Sequence, residues 1–345
     1  MLMIILGAGA SYDSYASRPP QSETKESHRP PLADELFEDR PKFNELLERF
    51  NKCQEILPQL REQSNKKALE AYLERLREEA KTFLQGGQQL RAVQFYIQGA
   101  IEHCESGWRA VHRGATNHLA LLNRVERWRA RQNESVNIVT FNYDTLVEEA
   151  LRSYLGHTFQ YLNDYVRRPD YKLFKLHGSV DWGHVTRCTL RDNDYNNLRA
   201  IQQHIIDGVN SNGTIIYPDH FETKSAGEDL KKKGLVLSPA IAIPVKNKNS
   251  FECPKDHVEA LKSDLPRVTK ILVIGWRAQE QHFSQELKVL PKNIRTFVVG
   301  GNTADVKQTV DGLIAAGTKG DYTELKRGFS YFLEHDEMLD KFLYD

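Results

Sequence analysis

Cysteine is scarce and scattered. Cys53, Cys104, Cys188 and Cys253 are the four in 345 residues, and no two make a C-x-x-C pair. That argues against a zinc ribbon or a disulfide framework and suits a reducing cytoplasm. An excess of either charge is also missing: Lys plus Arg and Asp plus Glu both total 47, so whole-chain charge gives no sign of direct nucleic-acid binding. Long hydrophobic runs are absent as well. The opening MLMIIL meets Gly7 after six residues and lacks a charged start, too short for a signal-peptide core, and no later stretch reaches membrane-spanning length. Internal repeats and long low-complexity tracts are lacking too. With 40% hydrophobic residues the chain has enough for a real core, in one large domain or two ordinary ones.

The stretch around which the rest is organised is VNIVTFNYDTLVEEAL, Val136 to Leu151. Val136, Ile138, Val139 and Phe141 read as a buried strand; Leu146, Val147, Ala150, Leu151, Tyr154 and Leu155 recur at helical spacing. Asn142, Tyr143 and Asp144 fall at the junction, which in an open α/β sheet lies at the carboxyl edge, so Asn142 and Asp144 are expected to face a cleft. The alternative is structural: Asp144 caps the helix, or Thr145 and Glu148 form a capping box.

Leu2 to Leu6 is a second buried strand, followed at once by Gly7-Ala8-Gly9-Ala10-Ser11. A turn of this kind lets backbone N–H groups face a diphosphate. It departs from the dinucleotide fingerprint, since Tyr12 stands where the third glycine belongs, and the Lys-Ser/Thr of a P-loop is missing. The acid expected about twenty residues on in a hydride-transferring dehydrogenase is missing too. Ser14 to Pro31 reads as a mobile loop beside the cleft. A helix is expected to start within Arg29 to Phe37, behind two prolines. Apolar stripes at helical spacing then run through Phe43 to Leu60, Leu69 to Leu84 and, after Gly86 and Gly87, Val93 to Trp128. These predict a helical insertion.

Tyr171 to Leu176 reads as a strand ending at His177 and Gly178, a position suited to a cleft floor with backbone room for a ribose; the alternative is a structural histidine. His184 and Cys188 invite a metal reading with His177, but the spacing matches no recognised ligand set and no metal is expected. Strands are expected at Thr214 to Tyr217, Gly234 to Leu237, Lys270 to Ile274 and Arg295 to Val299, the last two ending at Gly275 and at Gly300 to Asn302. Asn302 or Thr303 caps the next helix, and Phe329 to Phe342 is expected to give a strand and a short helix.

GAGAS after the first strand, TFNYD after a middle one and KLHGSVDW after the next together resemble the sirtuin-like NAD-consuming family. They match its zinc-free bacterial antiviral-defence branch more than the protein deacylases. The resemblance covers about two thirds of the chain. It implies an α/β fold, a Rossmann-like mostly parallel sheet with helices on both faces and a large all-α insertion, divided as 1–35 plus 136–345 for the NAD-binding catalytic part and 36–135 for the helical module. It also implies that Gly7, Ala8, Gly9, Ala10 and Ser11 hold the diphosphate and that Asn142 and Asp144, with Phe141 and Tyr143 beside them, line the nicotinamide and ribose pocket. His177, with Gly178 next to it, is the implied catalytic base, and Gly275, Trp276 and Asn302 meet the adenosine half. The substrate implied is NAD, cleaved to nicotinamide and ADP-ribose. Such chains act as homo-oligomers or with an ATPase or Argonaute-like partner, as gated effectors of abortive infection. The Pro-Asp-Phe-Arg that deacylases carry after the glycine turn is absent, and Trp276 and Arg277 replace small hydroxyl residues. A deacylase or ADP-ribosyltransferase on the same fold, and a non-enzymatic NAD or ADP-ribose sensor, are the competing readings.

Overall fold

The computed structural model describes residues 1–14, 28–62, 66–209, 213–245 and 251–345; most of the expected loop from Ser14 to Pro31 lies outside the described residues. Within these, the strands are β1 (Leu2–Leu6), β2 (Val136–Thr140), β3 (Tyr171–Lys175), β4 (Gly178–Cys188), β5 (Thr214–Thr223), β6 (Leu235–Ile241), β7 (Lys270–Ile274), β8 (Arg295–Val299) and β9 (Tyr322–Leu325). Six of them form one sheet in the order β3-β2-β1-β7-β8-β9, with every pairing parallel. All of β1 and β2 is buried, as a parallel sheet covered on both faces demands, which is why such strands read as unbroken apolar runs. The polar intruder, Asn137, donates to Asp264 Oδ2 at 3.1 Å, and Lys172 Nζ reaches the same oxygen at 2.7 Å.

Register decides what meets at the sheet's edge. Leu6 lies opposite both Thr140 and Ile274, Thr140 opposite Lys175, and Ile274 opposite Val299. Gly7, Phe141, Leu176, Gly275 and Gly300 therefore leave their strands at one level. From β1 the chain builds outward to β2 and β3, then returns to build β7, β8 and β9 on the other side. The crevice between β1 and β7, where the order reverses, is where open α/β sheets take ligands.

Residues 36–135 are largely helical, with differences in detail from the expected stripes. The segment from Arg29 forms only a short turn of 3-10 helix, Ala33–Glu35, because side chains take up its polar groups instead: Glu35 Oε2 accepts from Leu32 N at 3.0 Å and Tyr96 Oη donates to Leu36 O at 2.6 Å. Gly86 and Gly87 do not interrupt a helix; they sit in the first turn of Leu84–His112. The helical stretch also divides between two cores. Leu121, Leu122, Val125 and Trp128, on the helix Asn117–Gln132, pack in the core of the large sheet. The preceding helices share a second core with Val180, Cys188, Val236 and Ile241. Those four belong to an antiparallel sheet, β5-β4-β6, that the strand-by-strand reading did not separate from the main one. At the end of the chain, Phe329 to Phe342 contains no strand but two helices, Gly328–Glu334 and Asp336–Tyr344, and β9 precedes them.

Candidate active site

Glycine is required where β1 and β7 hand over to their loops. A Cβ on Gly7 would lie 2.4 Å from Gly275 O, and one on Gly275, whose φ is +63°, would lie 2.4 Å from Ala10 N. Two backbones thus touch with no side chain between them. The contact uses amides, Gly7 N donating to Ile274 O (3.0 Å) and Gly9 N to Gly275 O (3.2 Å), while within the turn Ala10 N donates to Gly7 O (2.9 Å). Three donors expected to face a diphosphate are therefore bonded within the protein, and Ala10 is wholly buried.

Asn142 ties this turn to β2. Its Nδ2 donates to Gly7 O at 2.9 Å and to Ser11 Oγ at 2.8 Å, while its own N–H donates to Thr140 Oγ1 at 3.1 Å. Because Gly7 O can only accept, the amide's nitrogen must point that way, leaving Oδ1 for a ligand. Asp144 Oδ1 accepts from Leu146 N at 3.2 Å, so the capping alternative is realised in a residue that also borders the cleft. The alternative box of Thr145 and Glu148 does not form: the Thr145 hydroxyl donates to Glu105, whose other oxygen accepts Thr145 N at 3.1 Å.

Behind this junction lies a buried charge network. Lys175 Nζ is 3.1 Å from Glu148 Oε1, both side chains almost wholly buried, and it also donates to Asp144 O. Burial pushes the Glu148 carboxyl above the usual range, and Lys175 pulls it back. Burial likewise raises Glu105, against the pull of Arg109. Such a network pins Asn142 through Thr145 from behind, since each member left alone would be an uncompensated buried charge.

His177 follows β3, buried, its ring centroid 4.8 Å from that of Phe141. Phe141 in turn stacks on Trp276, 5.5 Å between centroids and 8° between planes. Trp276 Nε1 donates to Glu280 Oε2 at 2.6 Å. This tryptophan belongs at once to the core and to the cleft wall. Asn302 caps Thr303–Ala315, accepting from Asp305 N at 2.9 Å and donating to Asp305 Oδ2 at 2.9 Å.

All of these surround one cleft of about 930 Å³, a size suited to a cofactor or similarly large ligand. Gly7, Ala8, Gly9, Ser11, Phe141, Asn142, Tyr143, Asp144, His177, Gly275, Trp276 and Asn302 line it. Two expected members do not. Ala10 lies beneath the turn, and Gly178, at φ +81°, is held against β6, where a Cβ would fall 1.9 Å from Ala240 O. Pro30 and Pro31, at the end of the loop expected beside the cleft, line it, while sequence reasoning missed the rest of that wall, Leu32 to Asp34, Leu36, Glu70, Ile101 and Val245, and the rim formed by Arg327 to Phe329. The Pro-Pro pair was a signal for the first; the second was hidden because β9 went unrecognised. His184 pairs with Glu252 at 2.5 Å, and among the described residues no three His, Cys, Asp or Glu side chains are grouped to hold a metal ion.

No curated protein matches the chain. Among solved structures, a mutant of a Sir2 homologue in complex with 2'-O-acetyl ADP ribose is similar at 15% identity, over 100% of this chain and 93% of that one, with a TM-score of 0.43. A Sir2 homologue mutant with ADP ribose gives 15%, 99%, 91% and 0.40, and Sir2Tm bound to a propionylated peptide 10%, 99%, 94% and 0.39. The segment from β2 through the end of β8, residues 136–301, matches the family model of the SIR2-like domain.

Proposed function

We propose that this chain hydrolyses NAD to nicotinamide and ADP-ribose. One observation carries the reading: the glycine turn, the end of β2 and the end of β3 line one cleft, with Asn142 bonded to Gly7 and Ser11 across it. In the reaction the bond from ribose C1' to the nicotinamide nitrogen breaks and its electron pair neutralises the pyridinium. Water adds to C1' and gives up a proton. The transition state has oxocarbenium character, like that of glycoside cleavage. The Asp144 carboxylate and Asn142 Oδ1 stabilise that developing cation. His177 takes the proton from the water or a ribose hydroxyl. Phe141, stacked on Trp276, shields the leaving base from solvent, and the diphosphate lies along the glycine turn with adenosine towards Gly275, Trp276 and Asn302.

Incubating the purified chain with NAD alone should release nicotinamide, and Asn142→Ala and His177→Ala should each lose most of it; unchanged release in both removes the proposed site. The apolar wall of Leu36, Ile101 and Val245 favours a second reading, transfer to an acylated peptide or protein acceptor, in which release needs that acceptor and labelled ADP-ribose ends up on it. Binding of NAD with no release under either condition would instead mark a sensor. By the motif resemblance, the chain acts in the cytoplasm as an abortive-infection effector against phage. Oligomerisation or an ATPase or Argonaute-like partner gates it, since an ungated NAD hydrolase would poison its host.

A further inference from the structure

The charges around the cleft are unequally matched. Asp13, Asp144, Glu280 and Asp305 are each bonded within the protein, and Arg277 Nε is paired with Asp305 Oδ1 at 2.9 Å. The other arginine lining the cleft, Arg327, has no carboxylate within ion-pair distance among the described residues. It is held by an aromatic face instead: its guanidinium carbon lies 4.8 Å from the centroid of the Tyr331 ring, which stacks on His335 at 3.8 Å. A guanidinium kept on a ring is partly oriented but still has its hydrogen-bond fork to give.

The backbone determines where that fork stands. Gly328 N donates to Gly300 O at 2.9 Å, and a Cβ on Gly328 would lie 2.6 Å from Asp13 Oδ2. The same oxygen accepts from Phe329 N at 2.7 Å and Ser330 N at 3.0 Å. Residue 328 is thus wedged between the end of β8 and the end of the short helix Ala8–Tyr12 that begins at the glycine turn. That helix is about 7 Å long at about 1.5 Å per residue, within the span of an extended arginine. Meanwhile the turn has spent the amides of Gly7, Gly9 and Ala10 internally, so an anion resting on it would meet few backbone donors.

We propose that Arg327 is the side chain that binds the diphosphate of the dinucleotide in this cleft, supplying the charge and the paired donors that the glycine turn lacks. The proposal rests on the dinucleotide reading above. It is tested by calorimetry with ADP-ribose, its 2'-phosphorylated form and adenosine, on the unaltered chain and on Arg327→Ala, Arg327→Lys and Lys326→Ala. Lys326 carries the same charge one residue away, outside the cleft and near Glu324. Loss of a charged hydrogen-bond pair should weaken both diphosphates about 10- to 100-fold in Arg327→Ala, leave adenosine unchanged, and be partly rescued by lysine. Lys326→Ala should bind like the parent. Equal ADP-ribose affinity in parent and Arg327→Ala overturns the proposal, as does an equal loss in Lys326→Ala, which would mean a diffuse field. A loss confined to the 2'-phosphorylated ligand would assign the contact to that phosphate and also overturn it. A parent that binds ADP-ribose yet releases no nicotinamide defeats the hydrolase and leaves Arg327 standing; a parent that binds neither diphosphate ends both.

Discussion

Replacing Lys175 by methionine removes the ammonium and keeps most of the side chain's volume, so the consequence is electrostatic. Glu148 would be left with Tyr165 Oη at 3.4 Å from Oε1 and no partner for Oε2, and the Asp144 carbonyl would lose its buried donor. Breaking a buried pair from one side costs about 3–5 kcal/mol. Here the pH sets a ceiling on the charge part, because the carboxyl can take up a proton instead. From an unfolded pKa of about 4.3, that costs about 1.36 kcal/mol per pH unit, so about 3.7 kcal/mol at pH 7 and about 1 kcal/mol at pH 5. The orphaned carbonyl adds about 1–3 kcal/mol at either pH. The sign follows from burial: without Lys175 the folded carboxyl holds its proton more tightly than the unfolded one, so the variant's stability falls as pH rises above the unfolded pKa. Asp181, which Lys175 also pulls down, steepens the same slope. Urea unfolding followed by tryptophan fluorescence at pH 5, 6 and 7 reads the difference. The gap between parent and Lys175→Met should widen over that range by less than the ceiling of about 2.7 kcal/mol, because the parent's own Glu148 carboxyl is already raised by burial, and adding Glu148→Gln should close most of it. A gap that stays constant with pH would refute the account of a buried ion pair behind the site.

Other consequences are open to simpler measurements. Gly275→Ala forces a Cβ to 2.4 Å from Ala10 N at φ +63°; a loss of roughly 2–4 kcal/mol is expected, and an unchanged melting temperature would contradict the tight β1–β7 contact. Burial raises the Asp181 carboxyl to about 6, with Lys175 opposing. Its folded pKa thus exceeds the unfolded one, and stability is lost between about pH 4 and about pH 6. Asp181→Asn should therefore unfold at higher urea than the parent at pH 7 and at the same urea at pH 4. Asn142→Asp replaces a donor by an acceptor opposite Gly7 O and should lower stability at pH 7 more than Asn142→Ala does, by comparison of thermal melts. Light scattering checks the oligomer proposed as a gate: a monomer with full NAD turnover would discard it.

The sequence by itself determined the central strands and what ends them. Runs such as LMIIL and KILVI, short and bounded by glycine, suit strands covered on both faces, and in an open α/β sheet the small or polar residues at their ends lie at the edge where ligands bind. That pattern put Asn142, Asp144 and His177 at strand ends, the motif resemblance joined them into one expected pocket, and all three line one cleft. What the tertiary structure alone decided was which atoms remain free. The amides of Gly7 and Gly9 are lost to a close approach between two segments more than 250 residues apart, Gly178 serves a β6 carbonyl, and Asn302 spends its amide on a helix cap. The wall from Leu32 to Leu36 and the position of Arg327 were likewise invisible, since a short turn held by side chains and a four-residue strand leave little periodicity to read. Pattern reports which face a residue presents; only long-range contact says whether its polar atoms are already taken.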